Sequence, residues 1–219
     1  MALVGVGVSG LGAEEGEQCF TSRDPVEATA AVSADPRPAS GLVGVAPAAG
    51  FEKDSTDLGG NVERWEELDG GWEAAGGRAR VTSSDRLSNL AVATPRAPTT
   101  TVQVTLDRPK PGAGVVASFI DERRYVALEV DSSGRRLMLV QATDCGFGGD
   151  VLITATIGSA DSPLVLALRR DGNRVEAIAN GTSLGSRVVR APDGPSRVGL
   201  IAGPGRSGSA ARFDDLVLG

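Results

Sequence analysis

Apolar residues in this chain recur at every second position rather than at every third or fourth. Val102, Val104 and Leu106 fall on one side of a strand, with Gln103, Thr105 and Asp107 on the other, which is the signature of a half-buried β-strand. The pattern returns over residues 125–130, where Val126, Leu128 and Val130 share a face opposite Tyr125, Ala127 and Glu129. Asp131-Ser132-Ser133-Gly134, Asp171-Gly172-Asn173, Asn180-Gly181 and Asp193-Gly194-Pro195 punctuate these runs. Asp-Gly and Asn-Gly supply the positive φ that tight hairpins require. Many short strands at this spacing predict an all-β sandwich or barrel. No window carries a sustained helical stripe with capping signals, and the one Ala-rich stretch, residues 25–32, is closed by Pro36 and Pro38.

A chain of 219 residues can bury its core in one large β domain. Its net charge of −6 argues against sequence-independent nucleic-acid binding, which depends on many phosphate-neutralising cations; Arg123, Arg124, Arg135 and Arg136 read as solvated strand ends. There is no histidine, which removes Ser-His-Asp and Cys-His nucleophile activation, His-ligated zinc and the imidazole proton shuttle together. Carboxylate, lysine or tyrosine chemistry remains. Cys19 and Cys145 are too few and too far apart for a disulfide scaffold or a zinc site, while a single long-range bridge between them stays open.

The first fifty residues differ from the rest. Residues 1–16 hold a Gly-interrupted apolar run followed by Glu14 and Glu15, and residues 25–50 are rich in Ala, Pro and Gly, an arm or linker composition. The opening run lacks the basic start of a secretory leader and is too short to span a bilayer. An arm of this kind is ordered only where it packs on something, for which another subunit is one candidate.

From residue 51 the order of several pieces is informative. Phe51 opens a segment followed by Trp65, Gly71-Trp72-Glu73 and Gly77-Arg78-Ala79. Middle strands at residues 114–119 and 125–129 come next, and the chain closes on Ala211-Arg212-Phe213-Asp214-Asp215-Leu216. Taken in that order, these pieces resemble the concanavalin A-like lectin/glucanase superfamily, in its laminin G-like bacterial and phage branch. The resemblance implies a two-sheet antiparallel jelly-roll sandwich over residues 51–219, one sheet concave, with residues 1–50 as an irregular N-terminal arm. It also implies that Trp65 and Trp72 pack rather than bind.

Hydrolases of that superfamily carry their carboxylates on one strand as Glu-x-Asp-x-x-Glu, because alternate residues line one cleft. Glu129-Val130-Asp131 begins such a motif, but Ser132, Ser133 and Gly134 stand where the second glutamate is needed. The expectation is therefore no enzyme. Sugar recognition wants an aromatic face with convergent polar groups, and Tyr125 with Arg123 and Glu129 is the candidate set. Asp214 and Asp215 are the candidates for a structural calcium such as relatives hold. Adjacent on a strand, they are expected on opposite faces, one of them beside the apolar side. Asn180-Gly181-Thr182 fits a glycosylation acceptor but reads better as a hairpin turn.

Two functions follow from the resemblance. The first is a non-enzymatic structural or attachment component of a phage-like particle, located in the virion, with residues 1–50 docking on other virion proteins in an oligomeric assembly. The Asp54-Ser55-Thr56 to Gly59 opening, found in similar phage-surface domains, supports it. The alternative is an exported or membrane-tethered bacterial module that binds cell-surface glycan.

Overall fold

The computed structural model describes residues 24–42, 47–48, 51, 62–83, 89–107, 109–143, 149–158, 162–190, 197–203 and 211–219. Among these the regular structure is all β, in two sheets. The eight-stranded sheet runs, edge to edge, β1 (Val26–Glu27), β10 (Asp150–Thr156), β9 (Arg136–Ala142), β8 (Arg124–Val130), β7 (Gly114–Asp121), β14 (Arg197–Ala202), β5 (Asn89–Thr94) and β2 (Arg64–Glu67). The seven-stranded sheet runs β13 (Thr182–Val188), β12 (Arg174–Ala179), β11 (Leu164–Asp171), β6 (Thr101–Leu106), β15 (Arg212–Leu218), β4 (Arg78–Ser83) and β3 (Gly71–Ala75). Every pairing is antiparallel except that of β1 with β10.

The core lies between the sheets, where the alternation placed it. Val102, Val104 and Leu106 of β6 meet Val126, Leu128 and Val130 of β8 in one buried cluster. Trp72 is almost fully buried there, its Nε1–H donating to the Asp69 carbonyl at 3.1 Å and its ring 5.7 Å from that of Phe213. Trp65 packs at the margin of the same cluster, 6.2 Å from Phe51. Both tryptophans pack, as the resemblance implied.

The turn chemistry also holds. Asn180 and Gly181, both at positive φ (46° and 73°), join β12 to β13 in a two-residue turn of the type whose twist matches the flanking strands. Asn180 is buried, with Oδ1 accepting from the Val165 N–H, so its amide is not offered as a glycan acceptor.

The described part of the expected arm packs, and it packs on the chain's own sandwich rather than only on a partner. Residues 26–27 add a strand to the edge of β10. The segment then passes Asn180, whose Nδ2 donates to the Ser33 carbonyl, and crosses the outer face of the seven-stranded sheet. There Ala39 and Leu42 are buried with Ala167, Ile178 and Val217. Val32 joins the main core. Residues 24–42 thus form a strap linking the two sheets, and packing does not divide the chain at residue 50.

Candidate functional site

The outer face of the eight-stranded sheet departs from simple alternation at one residue. In β7, Val115 and Ala117 face the core and Val116 faces outward. Ser118 then adopts φ 53° within an irregular stretch of the β7–β8 pairing, a bulge that inserts an extra residue. Phe119, which a strict period of two sends to the core, turns outward instead. It joins Leu90, Val92, Val116, Ala127 and Ile201 in a second buried apolar cluster on that face, against which Leu68 and Tyr125 pack.

Phe119 is the middle of a stack. Tyr125 lies parallel to it, centroids 6.1 Å apart with 21° between planes. The Arg197 guanidinium sits 4.8 Å from the Phe119 centroid, within cation–π range. Arg197 is oriented by the Glu66 carboxylate at 2.5 Å and the Ile120 carbonyl at 3.1 Å.

Glu129 stands on the same face two residues along β8 from Ala127. Its cross-strand neighbours are Gly114 on β7 and Met138 on β9. A Cβ on Gly114 would lie 2.2 Å from the Leu128 carbonyl oxygen and 2.8 Å from Glu129 Cβ, so only glycine lets the strands close at this point. Among the described residues Glu129 has no hydrogen-bond or ion-pair partner, and burial pushes its carboxyl up to about 7. Burial raises the Tyr125 phenol to about 12, with the Glu129 charge adding to the effect. The influence runs one way because Tyr125 is neutral where Glu129 titrates.

The transverse row continues outward from Glu129 to Met138, Thr154 and Glu27. Arg136 closes its far end, with Nη2 2.6 Å from Glu27 Oε2 and 3.0 Å from Thr154 Oγ1. Tyr125, Glu129 and Met138 are half-buried while the apolar cluster beside them is fully buried. The partly exposed strip of this face therefore runs along β8 and β9, not across its middle.

Of the residues singled out from the sequence, Tyr125 and Glu129 lie on the same outer face of β8, four residues apart. Arg123 does not join them; it lies exposed at the β7–β8 hairpin tip, its backbone N–H donating to Asp121. Tyr125, the candidate for an aromatic contact, has one ring face occupied by Phe119. Phe119, Arg197, Met138 and Gly114 were missed. Phe119 depends on a bulge at a serine, which has no sequence signature, and the other three depend on cross-strand register.

Asp131, the other half of the incomplete motif, is committed to its own turn. It accepts from Ser133 Oγ and from the backbone N–H groups of Arg135 and Arg136. Burial raises its carboxyl, but those bonds outweigh it and hold the group below the usual range.

Asp214 and Asp215 do not straddle the sheet. Asp215 has φ 48° and forms a bulge in the β15–β6 pairing. This lets Phe213 and Leu216 both face the core while Asp214 stays half-buried and Asp215 exposed. The expected carboxylate beside the apolar side is therefore absent. Asp214 accepts from the Asp215 N–H and stands 3.9 Å from Arg78 Nε. Burial, then the neighbouring Asp215 charge, raises its pKa. Among the described residues no group of three or more acidic or cysteine side chains is gathered as a metal would need, so the pair does not fit a calcium site by itself.

Cys19, Cys145, the opening at residues 54–59 and the Asp193-Gly194-Pro195 turn lie outside the described residues. No helix among the described residues is long and apolar enough to cross a membrane.

Two antiparallel sheets in this order, closed on a Phe213-Asp214-Asp215 strand, make the fold a concanavalin A-like jelly-roll sandwich. Among solved structures it is similar to the carbohydrate-binding module CBM66 from Bacillus subtilis, at TM-score 0.55 and 13% identity over 71% of this chain and 95% of that one. It is also similar to the catalytic domain of a Thermotoga petrophila endo-1,3-β-glucanase (TM-score 0.53, 10% identity, 77% and 94% covered). A third is the Bacillus licheniformis β-glucanase (0.53, 11%, 78% and 95%). No protein-family model and no curated protein sequence matches the chain.

Proposed function

We propose that this protein is a carbohydrate-binding module without hydrolytic activity, and that its ligand lies along β8 and β9 over Tyr125 and Glu129. The observation that carries the reading is the pairing of a stacked aromatic with an unpartnered carboxyl on the outer face of one sheet. Tyr125 offers its ring edge and hydroxyl, and Glu129 offers a hydrogen-bonding group, neither polar group having a partner among the described residues, the combination by which apolar contact and orientation are set together. The similar folds include a module described as carbohydrate-binding and two glucanases, which supports a saccharide as the class of ligand.

Catalysis is disfavoured because glycoside hydrolysis of the usual kind needs two carboxyl groups flanking one bond. Glu129, with its raised pKa, has the character of a general acid, but Asp131 is tied into its turn. No structural observation favours the particle component over the glycan module.

Affinity electrophoresis against a panel of plant, fungal and bacterial polysaccharides tests the proposal. Retardation by at least one, lost in Tyr125→Ala, is expected; retardation by none sinks it. Release of reducing sugar by wild type but not by Glu129→Gln would overturn its non-catalytic part.

A further inference from the structure

The outer face of the eight-stranded sheet carries a carboxyl that the described residues do not balance. Arg197 and Arg136 reach this face, and each is engaged by another carboxylate, Arg197 by Glu66 and Arg136 by Glu27. At the β7–β8 hairpin tip Arg124 is held by Asp121. Asp150, the remaining charged residue of β7 to β10, opens β10 opposite Gln141, away from the row that Glu129 forms with Met138 and Thr154.

The immediate surroundings of Glu129 cannot compensate its charge. Its cross-strand neighbours are Gly114, which has no side chain, and the thioether Met138, and among the described residues nothing donates to its carboxyl. Yet the residue keeps part of its surface open. A desolvated carboxylate is costly until a group of opposite charge, rich in donors, reaches it. A sugar hydroxyl donates a hydrogen bond and leaves the charge in place. An ammonium supplies both the bond and the charge, whereas an acidic group in the same position is repelled.

Given the glycan reading on which this rests, we propose that Glu129 makes the site selective for amino sugars, the saccharide carrying a free ammonium group that seats on the Glu129 carboxylate while Tyr125 packs against another of its rings. The two residues stand four positions apart on β8, about 13 Å at the rise of a strand, so a ligand touching both is longer than one sugar ring. In the unliganded chain burial raises the Glu129 carboxyl to about 7, and an ammonium bound beside it lowers that value. By linkage, each factor of about ten by which the ligand prefers the ionised carboxylate lowers the titration midpoint by about one pH unit.

Three β-1,4-linked pentasaccharides that differ only in the group on C2, those of glucosamine, N-acetylglucosamine and glucose, test this by calorimetry on the full-length protein at pH 7. Physiological salt screens the general pull of the chain's negative net charge. The glucosamine oligomer is expected to bind wild type at least tenfold more tightly than the other two. Glu129→Gln should abolish that preference, and Glu122→Gln, the same loss of charge at an exposed hairpin position, should preserve it. With the glucosamine oligomer bound to wild type, the midpoint of the Glu129 carboxyl, followed by its 13C signal, should fall by about one pH unit or more, whatever the folding of Glu129→Gln. Binding of either other oligomer within tenfold of the glucosamine one, or more tightly, overturns the amino-sugar selection and leaves the glycan reading standing. A preference that survives in Glu129→Gln, is lost equally in Glu122→Gln, or comes without the midpoint shift overturns it too. If none of the three binds, the selection is overturned and the glycan reading is judged on the polysaccharide panel alone.

Discussion

The ring of Tyr125 lies parallel to that of Phe119, 21° between planes, only because Ser118 takes a left-handed conformation and turns Phe119 out of the core. Ser118 is held there from the other sheet, its Oγ receiving a hydrogen bond from Arg170 Nη1 at 3.2 Å. The site on one sheet is thus braced by a residue at the end of β11 on the other.

Phe119→Ala should lower stability by about 3–5 kcal/mol, the usual loss for truncating a buried aromatic, read as a shift in the urea midpoint. Tyr125→Phe removes a hydroxyl with no partner among the described residues and should change stability by no more than about 0.5 kcal/mol. If saccharide binding survives Tyr125→Phe and fails in Tyr125→Ala, the ring rather than the hydroxyl makes the contact.

Glu129 gives stability a distinctive pH dependence. Its carboxyl is raised to about 7 in the folded chain, by burial, against an ordinary value near 4.3 in the unfolded one. Between those values the native state binds more protons than the unfolded state, so this group's contribution is complete below about pH 4.3 and is lost as pH rises through about 7. Urea unfolding of wild type and Glu129→Gln at pH 5 and pH 8 should show the variant gaining relative to wild type at pH 8. An equal difference at both values would mean that Glu129 is not buried as described.

Asn180 combines a strained backbone with two side-chain bonds. Asn180→Gly keeps the positive φ and loses the bonds to Val165 and Ser33, a loss of about 1–3 kcal/mol for buried groups left unpaired. Asn180→Val adds left-handed strain of about 1–3 kcal/mol. Hydrogen exchange at residues 33–42 should accelerate in both variants, while only Asn180→Val weakens the hairpin further.

Much of this fold is written locally. Asn180-Gly181 and Asp131 to Gly134 announce their turns because the φ they need is uncommon and few residues supply it. The alternation at Val102 to Leu106 sorts inside from outside because the pleat repeats every two residues. Ser118 and Asp215 are the opposite case. Each takes a positive φ that its residue type does not advertise, and each shifts every later side chain of its strand to a new face, so a strict period of two would send Phe119 and Val217 to the wrong side. The strap is illegible for another reason: Ala39 finds Gln103 across 64 positions of chain, and nothing near either residue encodes the meeting.

Asp215 itself is testable. Asp215→Gly or Asp215→Asn should be nearly neutral, and Asp215→Val should destabilise by about 1–2 kcal/mol, since a branched side chain resists the left-handed region. EDTA should leave the melting temperature of wild type unchanged, because Asp214 already faces Arg78 and the Asp215 N–H. A fall in melting temperature that calcium reverses would restore the metal at this bulge.

The strap gives the molecule a mechanical order. A pull delivered from the amino-terminal side of residue 24 reaches β10 through β1, whose two residues peel away before any core strand is sheared. Tension then travels to the Asn180–Ser33 and Gln103–Ala39 contacts in turn. Under such a load residues 24–42 lie in series with the sandwich, and Val32, seated in the main core, ties their release to the contact between the two sheets.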